Sequence, residues 1–241
     1  MTSQNTLHQR RRAPTDAELR GIPWWPALDA HARARVEGDL MVGNATPGEL
    51  ICRMGRPATY WFGVVDGLLK MSTETAEGQT ITYSGLTPGG WFGEGTALKR
   101  EPYRYNVQAL RNSVVAGLPV DAFHWLLDHS IGFNRFVMNQ LNERLAQFIS
   151  ARGIDRMNSP EQRVALNLAA LVNPVLFPGV GDWLRITQQE LAYLVGLSRQ
   201  RVNEALGQLQ AHGAIRIEYG GLRILDLPAL RSGQPAPPRA G

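Results

Sequence analysis

Cysteine is almost missing: Cys52 is the single thiol in 241 residues. One thiol cannot close an internal disulfide, and alone it cannot hold an iron–sulfur cluster or a structural zinc ion. Long apolar runs are missing too, and none approaches the roughly 20 residues of a membrane-spanning helix. No apolar core follows Arg10, Arg11 and Arg12, so the N-terminus does not read as a secretory signal. A cytoplasmic chain with no membrane association is the expectation. Charged residues are sparse, at 19% against 44% hydrophobic, a balance that belongs to a globular chain and excludes wholesale disorder. The net charge of +4 permits an anionic partner, but much of the excess sits in the three arginines of a leader, residues 1–20, expected to be flexible and solvated. Charge alone assigns no partner.

What is present is unevenly spread. Residues 43–95 hold 11 of the 25 glycines, and Gly55, Gly67, Gly78 and Gly89 follow at intervals of 12, 11 and 11 residues. Between them lie stretches rich in aromatic and β-branched residues at 60–65, 68–73 and 79–84. Turn signals at that interval predict short antiparallel strands closing into a sandwich or roll. Asp66-Gly67, between Val64-Val65 and Leu68-Leu69, is the strongest hairpin signal, because the pair tolerates positive φ. Glu77-Gly78 is a weaker one. The roll and its flanking helices are expected over 21–131.

From about Asp121 the period becomes helical. Phe133, Phe136, Val137, Gln140, Leu141, Leu145, Phe148 and Ile149 recur at steps of three and four, a stripe broken only by Gln140. A helix over 132–153 with that much apolar surface packs either on its own strands or against a second copy of itself. The stripe outruns any plausible roll, which favours the homodimer. Gly153 and Asn158-Ser159-Pro160 break the helix, and Ser159 as N-cap with Pro160 at the first helical position starts another. A second domain is expected over 159–231, followed by a disordered Pro/Gly/Ala tail over 232–241.

The densest signal runs from Ile186 to Leu227. Thr187 and Glu190 form a capping box, so a helix begins at Gln188. Gly196 suits a left-handed turn, Ser198 is a second N-cap, and a second helix carries Val202, Ala205, Leu206 and Leu209 on one face. Ala192 is small where the two helices would cross. Two short helices joined through a glycine turn form a helix-turn-helix. Arg199, Gln200, Arg201 and Asn203 face outward on the first turn of the second helix, and each can bond a base edge or a phosphate. After His212-Gly213, two short strands separated by a Gly220-Gly221 turn read as a wing. Helix-turn-helix plus wing points to duplex DNA.

A glycine-rich roll, a long helix and the run Thr187-Gln-Gln-Glu-Leu-Ala-Tyr-Leu-Val-Gly-Leu-Ser-Arg-Gln-Arg-Val-Asn203 together resemble the Crp/Fnr transcription regulators, over roughly residues 20–230. Gly89-Gly90-Trp91-Phe92-Gly93-Glu94 resembles that family's turn into its phosphate-binding cassette. The resemblance implies an α+β chain: an N-terminal antiparallel β-roll of the jelly-roll-like, cyclic-nucleotide-binding type, a long dimerisation helix and a C-terminal winged helix-turn-helix. It implies a homodimer with recognition helices about 34 Å apart on a palindromic operator, working with RNA polymerase. Thr187, Gln188, Ser198, Arg199, Gln200, Arg201, Asn203 and Glu204 form the expected DNA-contacting set. Arg199 suits guanine, Gln200 adenine and Glu204 cytosine, with Arg201 on phosphate.

In nucleotide-binding members a Gly-Glu pair and a following Arg-Ser hold the ribose and cyclic phosphate. Gly93-Glu94 and Arg104 match, whereas Tyr105 stands at the serine, and Phe148 and Ile149 stand where two small polar residues of the long helix meet adenine. Each unpaired polar group of a bound nucleotide costs roughly 1–3 kcal/mol, so cyclic AMP is expected to be a poor ligand. No cofactor is expected, and the effector is another small molecule or none. A cluster sensor needs several cysteines, and a haem sensor of this kind needs a roll ligand that a segment without histidine between His31 and His124 does not offer. Two other readings stay open: a barrel enzyme with an appended DNA-binding module, against which the same lack of histidine speaks, and an interaction protein that has lost DNA binding.

Overall fold

The computed structural model describes residues 10–154, those beyond 150 by backbone alone, and residues 159–233. Two four-stranded antiparallel sheets face one another. One runs in the order β1 (Met41–Ala45), β8 (Ser113–Pro119), β3 (Tyr60–Asp66), β6 (Trp91–Phe92), the other β2 (Leu50–Cys52), β7 (Asn106–Ala109), β4 (Leu69–Glu74), β5 (Thr80–Leu86). Within the roll, β4 and β5 are the one pair of consecutive strands bonded to each other. The turn that closes this hairpin contains Gly78, at φ 78°, so the weaker turn signal makes the hairpin.

The stronger signal, Asp66-Gly67, does not. It carries the chain from β3 in one sheet to β4 in the other. Gly67 is required there for close approach: it sits at φ +113°, and a Cβ would lie 2.2 Å from Ser113 Oγ and 2.7 Å from Ser113 Cα. The Leu68 N–H donates to the same Ser113 hydroxyl at 3.3 Å.

Strand alternation builds two cores from adjacent residues. Phe62 and Phe92 point between the sheets with Val64, Leu69, Met71 and Val107. Trp61 and Trp91 point outward into an aromatic cluster with Trp24, Phe123 and Phe133, at ring-centroid separations of 4.5–5.9 Å. The short helices α1 (Asp16–Gly21) and α2 (Ala30–Glu37), with α4 (Val120–His129), cover that cluster; α3 (Glu94–Lys99) follows β6.

Arg10, Arg11 and Arg12 do not belong to the flexible leader the sequence suggested, although Arg11 and Arg12 stay exposed. Arg10 forks onto both carboxylate oxygens of Glu49. Arg12 exchanges two backbone hydrogen bonds of 2.8 Å with Val42 and pairs with Glu18, and Arg11 reaches the Tyr60 hydroxyl at 3.3 Å. Glu18 also closes a capping box with Thr15, and the Arg12 hydrogen bonds hold its carboxyl down at about 2. The physical reason is pairing: Arg10 and Arg12 each meet both oxygens of a carboxylate, and charge-assisted hydrogen bonds of that kind are stronger than neutral ones. The rest of the leader, residues 1–9, lies outside the described residues.

The long helix α5 (Ile131–Ile154) divides its stripe. Phe133 and Val137 are buried in the aromatic cluster, and Gln140 is buried while its Nε2 donates to the Val175 carbonyl at 2.7 Å. Leu145 and Ile149 are 59% and 65% exposed. The remaining elements are α6 (Pro160–Leu171), capped by Ser159 with Pro160 at the first helical position, α7 (Gln188–Val195), α8 (Arg199–Ala211), α9 (Leu227–Ser232) and a sheet in the order β10 (Ile215–Glu218), β11 (Gly221–Ile224), β9 (Trp183–Leu184). The wing turn is Tyr219-Gly220, one residue earlier than expected, because Glu218 pairs with Gly221. Gly221 belongs to the strand, where a Cβ would lie 2.5 Å from the Leu184 carbonyl oxygen. The boundary residues 155–158 and the tail residues 234–241 lie outside the described residues, and Ser232, expected in the tail, ends α9.

Gly67→Ala should lower the unfolding free energy by about 2–3 kcal/mol, because positive φ and a steric clash combine. Gly78→Ala, at open space, should cost about 1 kcal/mol through its φ alone. Equal midpoints for the two variants in urea denaturation would contradict the close-approach role.

Candidate functional site

The helix-turn-helix is assembled by its caps. Both halves of the Thr187–Glu190 capping box are present, and the Gly196 N–H donates to the Ala192 carbonyl from a left-handed conformation, φ 66°. Ser198 Oγ accepts from the Arg201 N–H and starts α8. Leu191, Ala192 and Val195 of α7 share one buried core with Val202, Ala205, Leu206 and Leu209 of α8. That burial sends Arg199, Gln200, Arg201, Asn203 and Glu204 outward, all exposed.

The outward residues differ in readiness. Gln188 Nε2 donates to Asn203 Oδ1 at 2.8 Å, and Gln200 Nε2 to Glu204 Oε1 at 3.1 Å. These pairs engage three side-chain amides, those of Gln188, Asn203 and Gln200. Among the described residues the guanidinium groups of Arg199 and Arg201 have no hydrogen-bond or ion-pair partner, and the same holds for that of the exposed Arg216 on the wing. Tyr219 stands fully exposed at the wing tip. The Ile217 N–H donates to Gln210 Oε1 at 2.8 Å, which ties the wing to α8.

The roll holds this unit in place. Arg111, in the turn between β7 and β8, donates from Nε and Nη2 to the two oxygens of Glu190, each at 2.8 Å, and from Nη2 to the Arg185 carbonyl at 2.9 Å. Thr82 on β5 donates to the Tyr193 carbonyl at 3.3 Å. Gly85 admits α6 and α7 so closely that a Cβ would lie 2.4 Å from Leu171 and 2.8 Å from Leu194.

A cavity of about 460 Å³ opens between β5, α3 and α5. Gly93, Glu94, Arg104, Tyr105 and Phe148 all line it. Ile149 does not: one residue further along a helix turns about 100°, and Ile149 faces solvent. The helix face that meets the cavity is Leu141, Arg144 and Phe148, spaced for one side. Arg144 Nε donates to Glu94 Oε1 at 2.6 Å and Nη2 donates to the Trp91 carbonyl at 2.8 Å. Glu94 is 2% exposed, and its Oε2 is buried without a partner. Arg104 is turned to solvent and pairs with Glu101 at 2.9 Å. Burial, and then the charge of Glu94, push the Tyr105 phenol up to about 12, so it stays neutral at physiological pH. Among the described residues no group of three or more His, Cys, Asp or Glu side chains could hold a metal ion, and no helix is long and apolar enough to cross a membrane.

Two family models match this architecture part by part: the cyclic nucleotide-binding domain over residues 43–130 and the Crp-like helix-turn-helix domain over residues 143–232. The transcriptional regulator SdrP of Thermus thermophilus is 28% identical over 200 residues, covering 80% of this chain and 89% of that protein. The chain belongs to the Crp/Fnr family of transcription regulators. A CRP-like cAMP-activated global transcriptional regulator of Mycobacterium tuberculosis is 25% identical over 74% of this chain and 81% of its own. FixK2 from Bradyrhizobium japonicum has the same fold, with a TM-score of 0.64 at 18% identity over 82% of this chain and 98% of that one. As a Crp/Fnr regulator the chain is a DNA-binding protein with a cyclic-nucleotide-binding-like domain and not an enzyme, so the barrel-enzyme reading falls.

Sequence reasoning missed Arg144, Arg111, Arg216 and Tyr219 in this regulator. Arg144 was detectable in principle, three residues after Leu141 and four before Phe148 on the same face. Arg111 carries no local signal, since its partner lies 79 residues away. Arg144→Ala should lower the unfolding free energy by about 3–5 kcal/mol, because it strands a buried carboxylate. Adding Glu94→Leu should restore much of that. Urea unfolding that found the two losses additive would remove the Glu94–Arg144 pair from the account.

Proposed function

We propose that this Crp/Fnr regulator acts in the cytoplasm as a homodimer, reads a palindromic operator through the first turn of α8, works with RNA polymerase, and does not take cyclic AMP as its effector. The observation that carries the DNA-reading part is the exposed, unpartnered Arg199 and Arg201 at the capped start of α8. A free guanidinium on that turn matches the two acceptors of guanine in the major groove, while the helix N-terminus and Arg201 suit phosphate. Gln200 and Glu204 are held together, so a base that takes one of them must satisfy both. The dimer reading draws support from the outer stripe of α5, where Met138, Leu145 and Ile149 are each more than half exposed on a helix already anchored at its other end. Apolar side chains repeated on one helix face gain by burial against a second copy.

The effector reading rests on how the roll cavity is furnished. Tyr105 fills space where a serine hydroxyl would be needed, Phe148 presents a ring instead of a polar group, and Arg104 is engaged at the surface by Glu101. One oxygen of Glu94 is already taken by Arg144. A volume of about 460 Å³ is of the order of small-molecule sites, which supports an effector with a more apolar body than a nucleotide.

Selection of bound duplexes from a random pool should return a sequence with two-fold symmetry. On that operator Arg199→Ala should cost about 1–3 kcal/mol and relax preference at one base pair per half-site; a loss spread evenly over unrelated sequences would contradict a base-reading role. Calorimetric titration with cyclic AMP should give no binding at micromolar concentrations, and a micromolar Kd would overturn the effector reading.

A further inference from the structure

A second cavity, of about 290 Å³, lies where three parts of the chain meet. β5 of the roll and the second half of α5 form one side, and α6 and α9 of the winged domain form the other. Its apolar surface comes from residues such as Leu166, Ala170 and Leu171. Two side chains of opposite charge stand on it. Glu143 accepts from Asn173 Nδ2 through Oε1 at 2.7 Å, and its second oxygen takes no hydrogen bond among the described residues. The guanidinium of Arg231, near the end of α9, has no hydrogen-bond or ion-pair partner among them. A concave, largely apolar wall with a few convergent polar groups is the usual form of a small-molecule site.

The charges decide the ligand class. A ligand carrying only an anionic group answers Arg231 and leaves Glu143 unmet, and one carrying only a cation does the reverse. A small zwitterion answers both, with its carboxylate on the guanidinium and its ammonium on the free carboxylate oxygen. The volume and the aliphatic floor then call for an apolar body of modest size. We infer that this inter-domain cavity binds a free amino acid with an apolar side chain. The site is separate from the roll cavity, with Tyr83 on β5 as their one shared wall residue. Because its walls belong to both domains, a bound ligand bridges the roll to the winged domain and stabilises their docked arrangement.

Calorimetric titration and thermal unfolding of the full-length protein, with leucine, isoleucine, valine, methionine, phenylalanine and tryptophan as probes and aspartate and lysine as controls, test this. At least one apolar probe should bind at least tenfold more tightly than either control and raise the Tm. Arg231→Ala and Glu143→Gln should each weaken that binding at least tenfold, and Ala170→Phe should abolish it, with circular dichroism confirming that each variant is folded. Should Ala170→Phe not fold, the exposed Arg231→Ala change still decides the matter. Absence of binding by every apolar probe would overturn the inference. So would binding that survives Arg231→Ala, or binding abolished by Phe148→Trp but not by Ala170→Phe, which would place the ligand in the roll cavity.

Discussion

Arg111 makes two parallel hydrogen bonds to Glu190, and Glu190 is also the carboxylate that closes the capping box at the start of α7. One side chain thus serves the local start of a helix and the docking of a domain. The planar guanidinium fork suits this, since both carboxylate oxygens are met at once and the geometry is specified as well as stabilised. α7 in turn fixes α8 through the core that Ala192, Val202 and Leu206 share. The direction in which Arg199 points relative to the roll therefore depends on a contact supplied by the roll itself. Close approach at Gly85 reinforces it, because any side chain there would push α6 and α7 away from β5.

The long helix carries a heavier mixture of duties than its stripe implies. Near its start it closes the tryptophan cluster, where burial of several large rings supplies hydrophobic stabilisation. In its middle, the buried Gln140 and the largely buried Arg144 have specific partners, Val175 in the loop after α6 and Glu94 in the roll. Such groups are costly to bury and tolerate few geometries, so they fix the helix axially as well as hold it. Beyond them the apolar residues lie open to solvent. This gradient explains why α5 can at once be part of the roll, form a wall of two cavities and leave an apolar face open.

Much of the reading unit was legible in the linear sequence because its determinants are local. Capping boxes, N-caps and a left-handed glycine act over three or four residues, and Thr187, Gly196, Ser198 and Ser159 all stand where their chemistry suggested. Turn chemistry in the roll was less transparent. Asp66-Gly67 has the residues of a hairpin turn, yet Gly67 is needed because Ser113 comes from another strand to within contact distance. A tight turn and a close approach select the same amino acid. The wing turn shifted by one residue for a related reason: Gly221 yields its side-chain space to β9, a two-residue strand too short to announce itself.

Around the roll cavity the sequence pattern named five residues of the wall but not its wiring. Glu94 and Phe148 could be placed by motif and period, whereas Ile149 was assigned to the wrong side, since adjacent helical residues diverge by about 100° and only the packed axis says which of them turns inward. By itself the sequence determined the helices of the helix-turn-helix, their caps and the polar first turn of α8, because hydrogen bonds and periodicities within a few residues are enough to specify them. Tertiary structure alone decided that Arg10 and Arg12 are tied to the roll, that Arg144 rather than a ligand occupies one oxygen of Glu94, and that Arg111 meets Glu190. Those pairings join residues tens of positions apart, and their stability depends on a burial and an approach that exist only once the chain has closed on itself.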